Sequence, residues 1–150
     1  MKVHFRGFSE ADQLTIRQAM PFTFSEGTNG IVAYNPDTAE TLAVLVAQEW
    51  TYTGVTVHQV ILNPMVVRHG WFQEIGDWLF HRGRRMVMLA PVPSTNERAI
   101  EINRKLGFKE LVRIPDAYDR GVDFVVMELR PDHVNPRYWN PELNRQKEAA

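Results

Sequence analysis

The sequence contains no cysteine. This absence excludes disulfide bridges and thiolate metal ligands, and it makes a reducing compartment the simpler expectation. The chain also lacks an apolar run near the ~18 to 20 residues that a membrane-spanning helix needs, and its first residues lack the apolar core of a signal peptide. We therefore expect a soluble, cytoplasmic protein with no membrane partner.

Neither sign of charge is in excess. Lys and Arg total 17, Asp and Glu total 18, and the formal net charge is -1. Such a balance creates no field over the whole molecule that would attract nucleic acid, so nucleic acid is not an expected partner. A Walker loop, a Ser-His-Asp nucleophile pattern and the His-x-x-x-His spacing of metal sites are absent as well, and we expect no metal.

One domain is the expected size of fold. A chain of 150 residues with 44% hydrophobic content can bury a core of its own but is too short for two ordinary domains. The composition changes after Leu129, where three prolines interrupt a polar stretch, so we predict a domain over residues 1–130 and a tail over 131–150. The tail's apolar residues need either the domain's own surface or a partner, as in a homodimer or a larger assembly. They are Val134, Tyr138 and Trp139.

The hydrophobic pattern predicts an α/β domain. Alternating or continuously apolar runs predict strands, and apolar stripes at spacings of three and four predict helices. Residues 21–30 are predicted to form a loop that carries aromatics. The predicted strands are 3–8, 31–34, 41–50, 55–63, 86–92, 109–114 and 123–129, and the predicted helices are 9–20, 70–82 and 94–106. This order requires a mixed sheet with helices on its faces.

The third predicted helix has the clearest signals of all. Ser94 is a good N-cap, Glu97 completes a capping box with it, and Gly107 is a typical helix stop. An apolar stripe along the helix can be buried while its charged residues stay in water. The stripe consists of Ala99, Ile102 and Leu106.

This order of elements, together with the motif Asn96-x-x-Ala99-Ile100-x-Ile102-x-x-Lys105-Leu106-Gly107-Phe108, resembles the GCN5-related N-acetyltransferase (GNAT) family over residues 1–130. The resemblance implies a mostly antiparallel sheet of about seven strands, splayed between strands 4 and 5, with helices on both faces. It further implies that acetyl-CoA is the co-substrate and that its pantetheine arm lies in the splay. The implied reaction is direct transfer of an acetyl group to the amine of a small molecule or a peptide.

A loop before a helix N-terminus suits a pyrophosphate, because free amides and a positive dipole end collect there. The family places Gln/Arg-x-x-Gly-x-Gly/Ala in this loop, and this chain offers residues 67–72, Val-Arg-His-Gly-Trp-Phe. Gly70 is the position that matches, so the loop is degenerate. Asn96 could instead cap its helix, and Trp71 could belong to the core. The cofactor-binding residues that the resemblance implies are Leu62, Asn63, Arg68, His69, Gly70, Trp71, Asn96 and Arg104.

Amine acetylation needs a base for the incoming ammonium and often an acid for the departing thiolate. His58 is the first candidate for the base, since it lies six residues before Pro64 and its ordinary pKa of ~6.5 suits the task. Glu49 is the reserve candidate, acting through a water. Many family members carry the acid as a tyrosine on the signature helix, where this chain has Asn103. Tyr118 could replace it if its loop folds back over the cleft.

Two other classes of function stay open at this point. The degenerate loop and the missing tyrosine fit a catalytically inactive GNAT-fold binding or assembly module, a kind of protein that also occurs in phage particles. A sensor of a small ligand could use the same cleft. The acceptor is not specified, because the family's specificity region, residues 9–30 here, contains no charged cluster.

Overall fold

The computed structural model describes residues 1–19 and 26–139 of the chain. Most of the predicted aromatic loop and the end of the predicted tail therefore lie outside the described residues. The strands are β1 His4–Gly7, β2 Asn29–Tyr34, β3 Thr41–Gln48, β4 Gly54–Ile61, β5 Val87–Pro93, β6 Lys109–Asp119 and β7 Val122–Leu129. The helices are α1 Asp12–Ala19, α2 Trp71–Gly76, which continues as a π-helical turn over Asp77–Arg82, and α3 Glu97–Leu106. Short 3-10 helices occupy Pro64–His69 and Pro131–His133. The predicted order of elements is confirmed.

The strands form one seven-stranded sheet in the order β1-β2-β3-β4-β5-β7-β6. All of the neighbouring pairs in it are antiparallel except β4 and β5. The parallel pairing joins Gly54–Thr56 to Val87–Leu89 and goes no further, although β4 continues to Ile61 and β5 to Pro93. The two strands therefore diverge toward their C-terminal ends, which confirms the predicted splay.

β3 is the central strand of the core. Its residues from Leu42 to Gln48 are all buried, as the continuously apolar sequence predicts for a strand covered on both faces. Val44 packs with Ile16 of α1 on one face of the sheet. Leu45 belongs to the larger cluster on the other face, which includes Ile75 of α2 and Ile100 of α3. Helices thus cover both faces, as predicted.

The start of α3 differs from the prediction. Asn96, not Ser94, is the N-cap, and its side-chain oxygen accepts a hydrogen bond from the backbone N–H of Ala99 at 3.1 Å. The Ser94 hydroxyl instead accepts from the backbone N–H of Asp123 at 2.9 Å. The predicted capping box is therefore wrong, because Ser94 joins the end of β5 to β7.

α1 also begins later than predicted. Asp12 starts the helix, and its carboxylate accepts hydrogen bonds from the N–H and hydroxyl of Ser9 and from the guanidinium of Arg6. These partners, the Arg6 bond first, hold the pKa of the Asp12 carboxyl below its ordinary value. Ile16 is buried as expected, whereas Leu14 is exposed.

The predicted loop between the last two strands is part of a long hairpin. β6 continues through Pro115 to Asp119, and register irregularities between Ile114 and Asp119 absorb the proline. An edge strand tolerates a proline because one side of it has no ladder partner. This correction places Tyr118 on a strand that pairs with β7.

The described part of the tail packs on the domain itself. Val134 and Trp139 are 4% and 2% exposed and belong to the large core cluster. The indole N–H of Trp139 donates to the carbonyl of Leu106 at 2.9 Å, and the Asn135 side-chain amide donates to the carbonyl of Lys105 at 2.8 Å. The tail therefore satisfies carbonyls in the last turn of α3, which have no partner within the helix. The domain boundary at residue 130 stays a prediction.

Among the residues that the structure describes, no helix has the length and apolar content needed to cross a membrane.

Candidate active site

A cavity of about 940 Å³ opens where β4 and β5 separate. Its walls come from the end of β3, from β4 and β5, from α2 and α3, and from the tail residues Tyr138 and Trp139. Four of the predicted site residues line it: Glu49, His58, Asn96 and Tyr118. The sheet and the signature helix thus bring both candidate bases and the candidate acid to one cavity.

His58 lies on β4 opposite Val46 of β3. Its Nε2 is 3.5 Å from the side-chain nitrogen of Gln48, and the Thr28 hydroxyl lies 3.4 Å from the Gln48 side-chain oxygen. Burial lowers the pKa of His58 to about 4, because an imidazolium loses its hydration there. The ordinary pKa on which its selection as a base rested is therefore wrong for the folded protein. At neutral pH the ring is uncharged.

Glu49 is the residue that follows β3, and its backbone has a φ of 53°. This left-handed conformation is uncommon for a residue with a side chain, and it takes Glu49 out of the regular strand alternation. The side chain is exposed and lines the cavity. Glu49 therefore belongs to a part of the lining that is in contact with solvent.

Tyr118 was expected on a loop that folds back over the cleft, but it lies on β6 and lines the cavity from that strand. The ring packs edge-on against Phe124 of β7, with centroids 5.8 Å apart, and 41% of the residue is exposed. Asn103 of α3 lines the cavity too, buried, with its side-chain nitrogen 3.7 Å from the sulfur of Met127. An amide cannot release a net proton, so of these two residues Tyr118 is the one that can act as an acid.

The predicted phosphate loop is folded as a 3-10 helix from Pro64 to His69. Asn63 caps this helix by accepting from the N–H of Met65 at 3.0 Å. Gly70 has a φ of 88°, and its N–H donates to the carbonyl of Val66. The one glycine that matches the family pattern thus already uses its amide within the chain.

The other predicted cofactor residues near this loop have different environments. Leu62, Arg68 and His69 are exposed. The Trp71 indole is fully buried and donates to the side-chain oxygen of Gln59 at 3.2 Å, so the ring is part of the core, the alternative left open above. None of these four belongs to the cavity lining in the described part of the chain.

Arg104 is exposed on α3, and its positive charge contributes to lowering the pKa of Glu110, after the larger effect of the Arg113 hydrogen bond. It lies outside the cavity lining as described. Two other cations of α3, Arg98 and Lys105, do line the cavity and were missed. Their spacing of seven residues places both on one face of a helix, which is the signal that could have identified them.

Gln48 was missed as well. The sequence signal is a single polar side chain at the end of a continuously apolar strand, and the structure shows that side chain 7% exposed beside His58. Within the described residues, no group of three or more His, Asp or Glu side chains could hold a metal ion.

No protein-family model matches the sequence, and a comparison with characterised protein sequences gives no match. Solved structures match in fold. The spermidine/spermine N-acetyltransferase SpeG from Vibrio cholerae, solved with manganese ions, is 11% identical with a TM-score of 0.71, over 87% of this chain and 93% of that chain. The same enzyme with CoA and spermine is 12% identical with a TM-score of 0.70, over 87% and 96%. A point mutant of it is 11% identical with a TM-score of 0.73, over 90% and 98%. The chain therefore has the GNAT fold, as its resemblance implied.

Proposed function

We propose that this protein is an N-acetyltransferase that moves an acetyl group from acetyl-CoA to an amine by direct attack. The observation that supports this most strongly is the divergence of β4 from β5 after Thr56 and Leu89, which opens the 940 Å³ cavity beside α3. A neighbour of the same fold was solved with CoA and spermine. Acetyl-CoA would supply the thioester carbonyl that the amine attacks.

The residues of this cavity fit the pantetheine arm of the cofactor. Beyond Thr56, β4 has no registered partner on its β5 side in the described part of the sheet, so backbone groups of this segment border the cavity, which Val57, His58, Gln59 and Ile61 line. Such groups pair with the amides of an extended ligand as they would with a strand. Arg98 and Lys105 of α3 provide positive charge for the phosphates.

The fit at the phosphate end is weaker, because the Gly70 amide is already bonded to Val66. The exposed side chains of Arg68 and His69 remain proposed phosphate contacts there. The cofactor roles of Leu62, Asn63, Trp71, Asn96 and Arg104 also remain predictions. We expect the degenerate loop to make cofactor binding weaker than a full set of loop amides would, since each lost charge-assisted bond lowers affinity.

We assign the acceptor amine to the region of His58 and Glu49. A pKa near 4 keeps His58 neutral, so its ring can accept a hydrogen bond from the attacking amine but is a weak base toward an ammonium with a pKa of about 10.4. The ammonium proton would therefore leave through water beside Glu49. Tyr118 would donate its hydroxyl proton to the departing thiolate.

The first prediction is that acetyl-CoA binds the full chain in an isothermal titration. The absence of binding at millimolar cofactor would overturn the proposed function.

The second prediction concerns turnover. His58→Ala should lower kcat by about tenfold while the cofactor Kd stays nearly constant, because the variant loses the ring nitrogen that accepts a hydrogen bond from the attacking amine. His81→Ala, which alters an exposed histidine on the π-helical turn, is the matched control and should leave kcat unchanged. Equal activity of the His58 variant would remove that residue from the mechanism.

The inactive assembly module is not favoured. Its docking groups would be the apolar tail residues, and Val134 and Trp139 are buried in the domain's own core. Assembly or a homodimer through the tail stays a prediction, as do the cytoplasmic location and the absence of a metal.

A further inference from the structure

One face of the strands β5, β7 and β6 has no helix packed on it in the described part of the chain. Registered partners in a sheet point their side chains to the same side, and successive residues of a strand alternate. Val125 and Met127 of β7 therefore lie on the side of the large core cluster, with α2 and α3. α1 packs on the opposite side, but over β2 and β3. The uncovered face lies beside α1, and its apolar residues on β7 and β6 are Phe124, Val126, Val112 and Ile114.

These four apolar residues belong to neither core cluster of the described residues. Val112 and Ile114 of β6 are 48% and 44% exposed. The other face of the same strand instead carries an ion pair, Glu110 with Arg113 at 2.8 Å. β6 is thus polar on the core side of the sheet and apolar on the uncovered side. An exposed apolar patch of this kind indicates an interaction surface.

Two opposite charges flank the apolar patch at equal distances. Lys109 is in register with Glu128, and Asp119 is in register with Val122. Along β7, Glu128 lies three positions after Val125 and Val122 three positions before it, which is roughly 10 Å in each direction. Both partners alternate with Val125, so Lys109 and Asp119 lie on the uncovered face. Both are exposed.

The two ends of the face have opposite net charge. At the Lys109 end, the carboxylate of Glu128 is paired with Arg130 at 3.4 Å, so the positive charge of Lys109 is in excess. At the Asp119 end, the hairpin residues 116–123 contain three Asp and one Arg. A surface that is positive at one end, apolar in the middle and negative at the other end is complementary to a copy of itself turned end to end.

We propose that the protein forms a homodimer through this face, with a twofold axis that crosses the strands at the level of Val125. Two sheets packed face to face keep their strands within about 30° of each other. The axis then places the apolar rows of the two copies against each other and Lys109 of each copy opposite Asp119 of the other. The proposal does not depend on the proposed function, because it concerns association of the chain and not its ligand.

Analytical ultracentrifugation of the full chain over the micromolar range measures the dissociation constant of the dimer. Ile114→Lys would place one charge from each copy in the apolar centre, and we expect it to raise this constant about tenfold or more. Val112→Lys is a second variant with the same expected effect, and urea denaturation checks that each variant is folded. Arg113→Gln alters the other face of β6 and is the matched control, which should leave the constant unchanged.

Charge reversal tests the proposed symmetry. Lys109→Glu and Asp119→Lys should each weaken the homodimer, because each brings two like-charged pairs together across the axis. Mixed in equal amounts, the two variants should form a heterodimer about as stable as the wild-type homodimer, since both pairs are then of opposite charge.

A wild type that stays monomeric at concentrations near millimolar would assign the face to another partner and overturn the proposal. An unchanged dissociation constant in both Ile114→Lys and Val112→Lys, or a mixture of the charge variants without a heterodimer, would overturn it as well. Binding of acetyl-CoA is measured separately, so the proposed function and the dimer can fail independently.

Discussion

At the scale of single residues, the chemistry of the cavity depends on how its polar side chains are surrounded. His58 is kept neutral by burial, whereas Glu49 stays in contact with water. The lowered pKa of His58 could not be predicted from the sequence, because it depends on how deeply the folded protein buries the ring. Gln48 stands out in the sequence as a polar residue at the end of an apolar strand, but its contact with the His58 ring depends on the register of β3 against β4.

The burial of His58 predicts a pH-dependent stability. Its pKa is about 4 in the folded state and about 6.5 in the unfolded state, so the unfolded chain binds the extra proton between these values. The free energy of unfolding should therefore be highest above pH 6.5 and fall as the pH decreases toward 4, by roughly 3 kcal/mol from this residue.

Urea denaturation of the wild type and of His58→Gln at pH 7, 6 and 5 measures this effect. The variant should lose much less stability over that range, because it has no group that titrates there at this position. Parallel curves for the two proteins would contradict the prediction. The depressed pKa of Asp12 acts at lower pH, below its ordinary value, and so lies outside this window.

At the scale of elements, the signature helix depends on the tail. α3 ends at Gly107, which has a φ of 112°, and a Cβ at this position would collide with the carbonyl oxygen of His133. The tail then supplies the donors of Asn135 and Trp139 to the last carbonyls of the helix. The end of α3 is therefore held by residues about thirty positions later in the chain.

Removing the Trp139 side chain should destabilise the protein strongly. Trp139→Ala leaves a cavity beside Phe72 and Phe80 and leaves the Leu106 carbonyl without its indole donor, which together cost about 3 to 5 kcal/mol. Trp139→Phe keeps most of the packing and should cost about 1 to 2 kcal/mol. Urea denaturation followed by circular dichroism gives both values.

Arg137→Ala is the control for these variants, since Arg137 is exposed and its guanidinium lies over the Tyr138 ring at the surface, so its loss should cost less than about 1 kcal/mol. A small effect of Trp139→Ala would show that the tail is dispensable for the fold.

The sequence predicts an element well when residues close in the chain determine where it begins and ends. It predicts an element poorly when contacts with distant residues determine these positions. β3 was predicted well because burial on both faces makes it continuously apolar. The start of α3 was not, since Ser94 and Asn96 are both good caps and a contact with Asp123 across the sheet selects between them. β6 was predicted too short, because its proline and aspartate are typical of a loop but are accepted by an irregular edge strand.

The candidate site was likewise predictable where local sequence determines it. The signature motif indicated the helix and the splay, and His58, Glu49 and Tyr118, which were proposed from that arrangement, all line the cavity. Burial of the Trp71 ring and use of the Gly70 amide by Val66 depend on tertiary packing, so the loop pattern alone could not reveal them.

At the scale of the whole molecule, the cavity lies between two groups of strands, β1–β4 on one side and β5–β7 on the other. A cofactor in the splay would contact both groups. We therefore predict that saturating acetyl-CoA slows hydrogen exchange at the amides of residues 57–61 that face β5. Adenosine 3′,5′-bisphosphate, which lacks the pantetheine arm, should leave those amides unchanged even at saturation. Equal protection by the two ligands would place the cofactor elsewhere.

The short parallel pairing between β4 and β5 has a mechanical consequence. Three residue pairs, Gly54–Val87, Val55–Met88 and Thr56–Leu89, join the two groups of strands within the sheet. Under tension applied across the strands, the sheet should part first along this seam, because fewer backbone bonds share the load there than between the other strands. A ligand bound between β4 and β5 would add contacts across this pairing and raise the force needed to separate the two groups of strands. The unfolding force would therefore differ between the free and the ligand-bound protein.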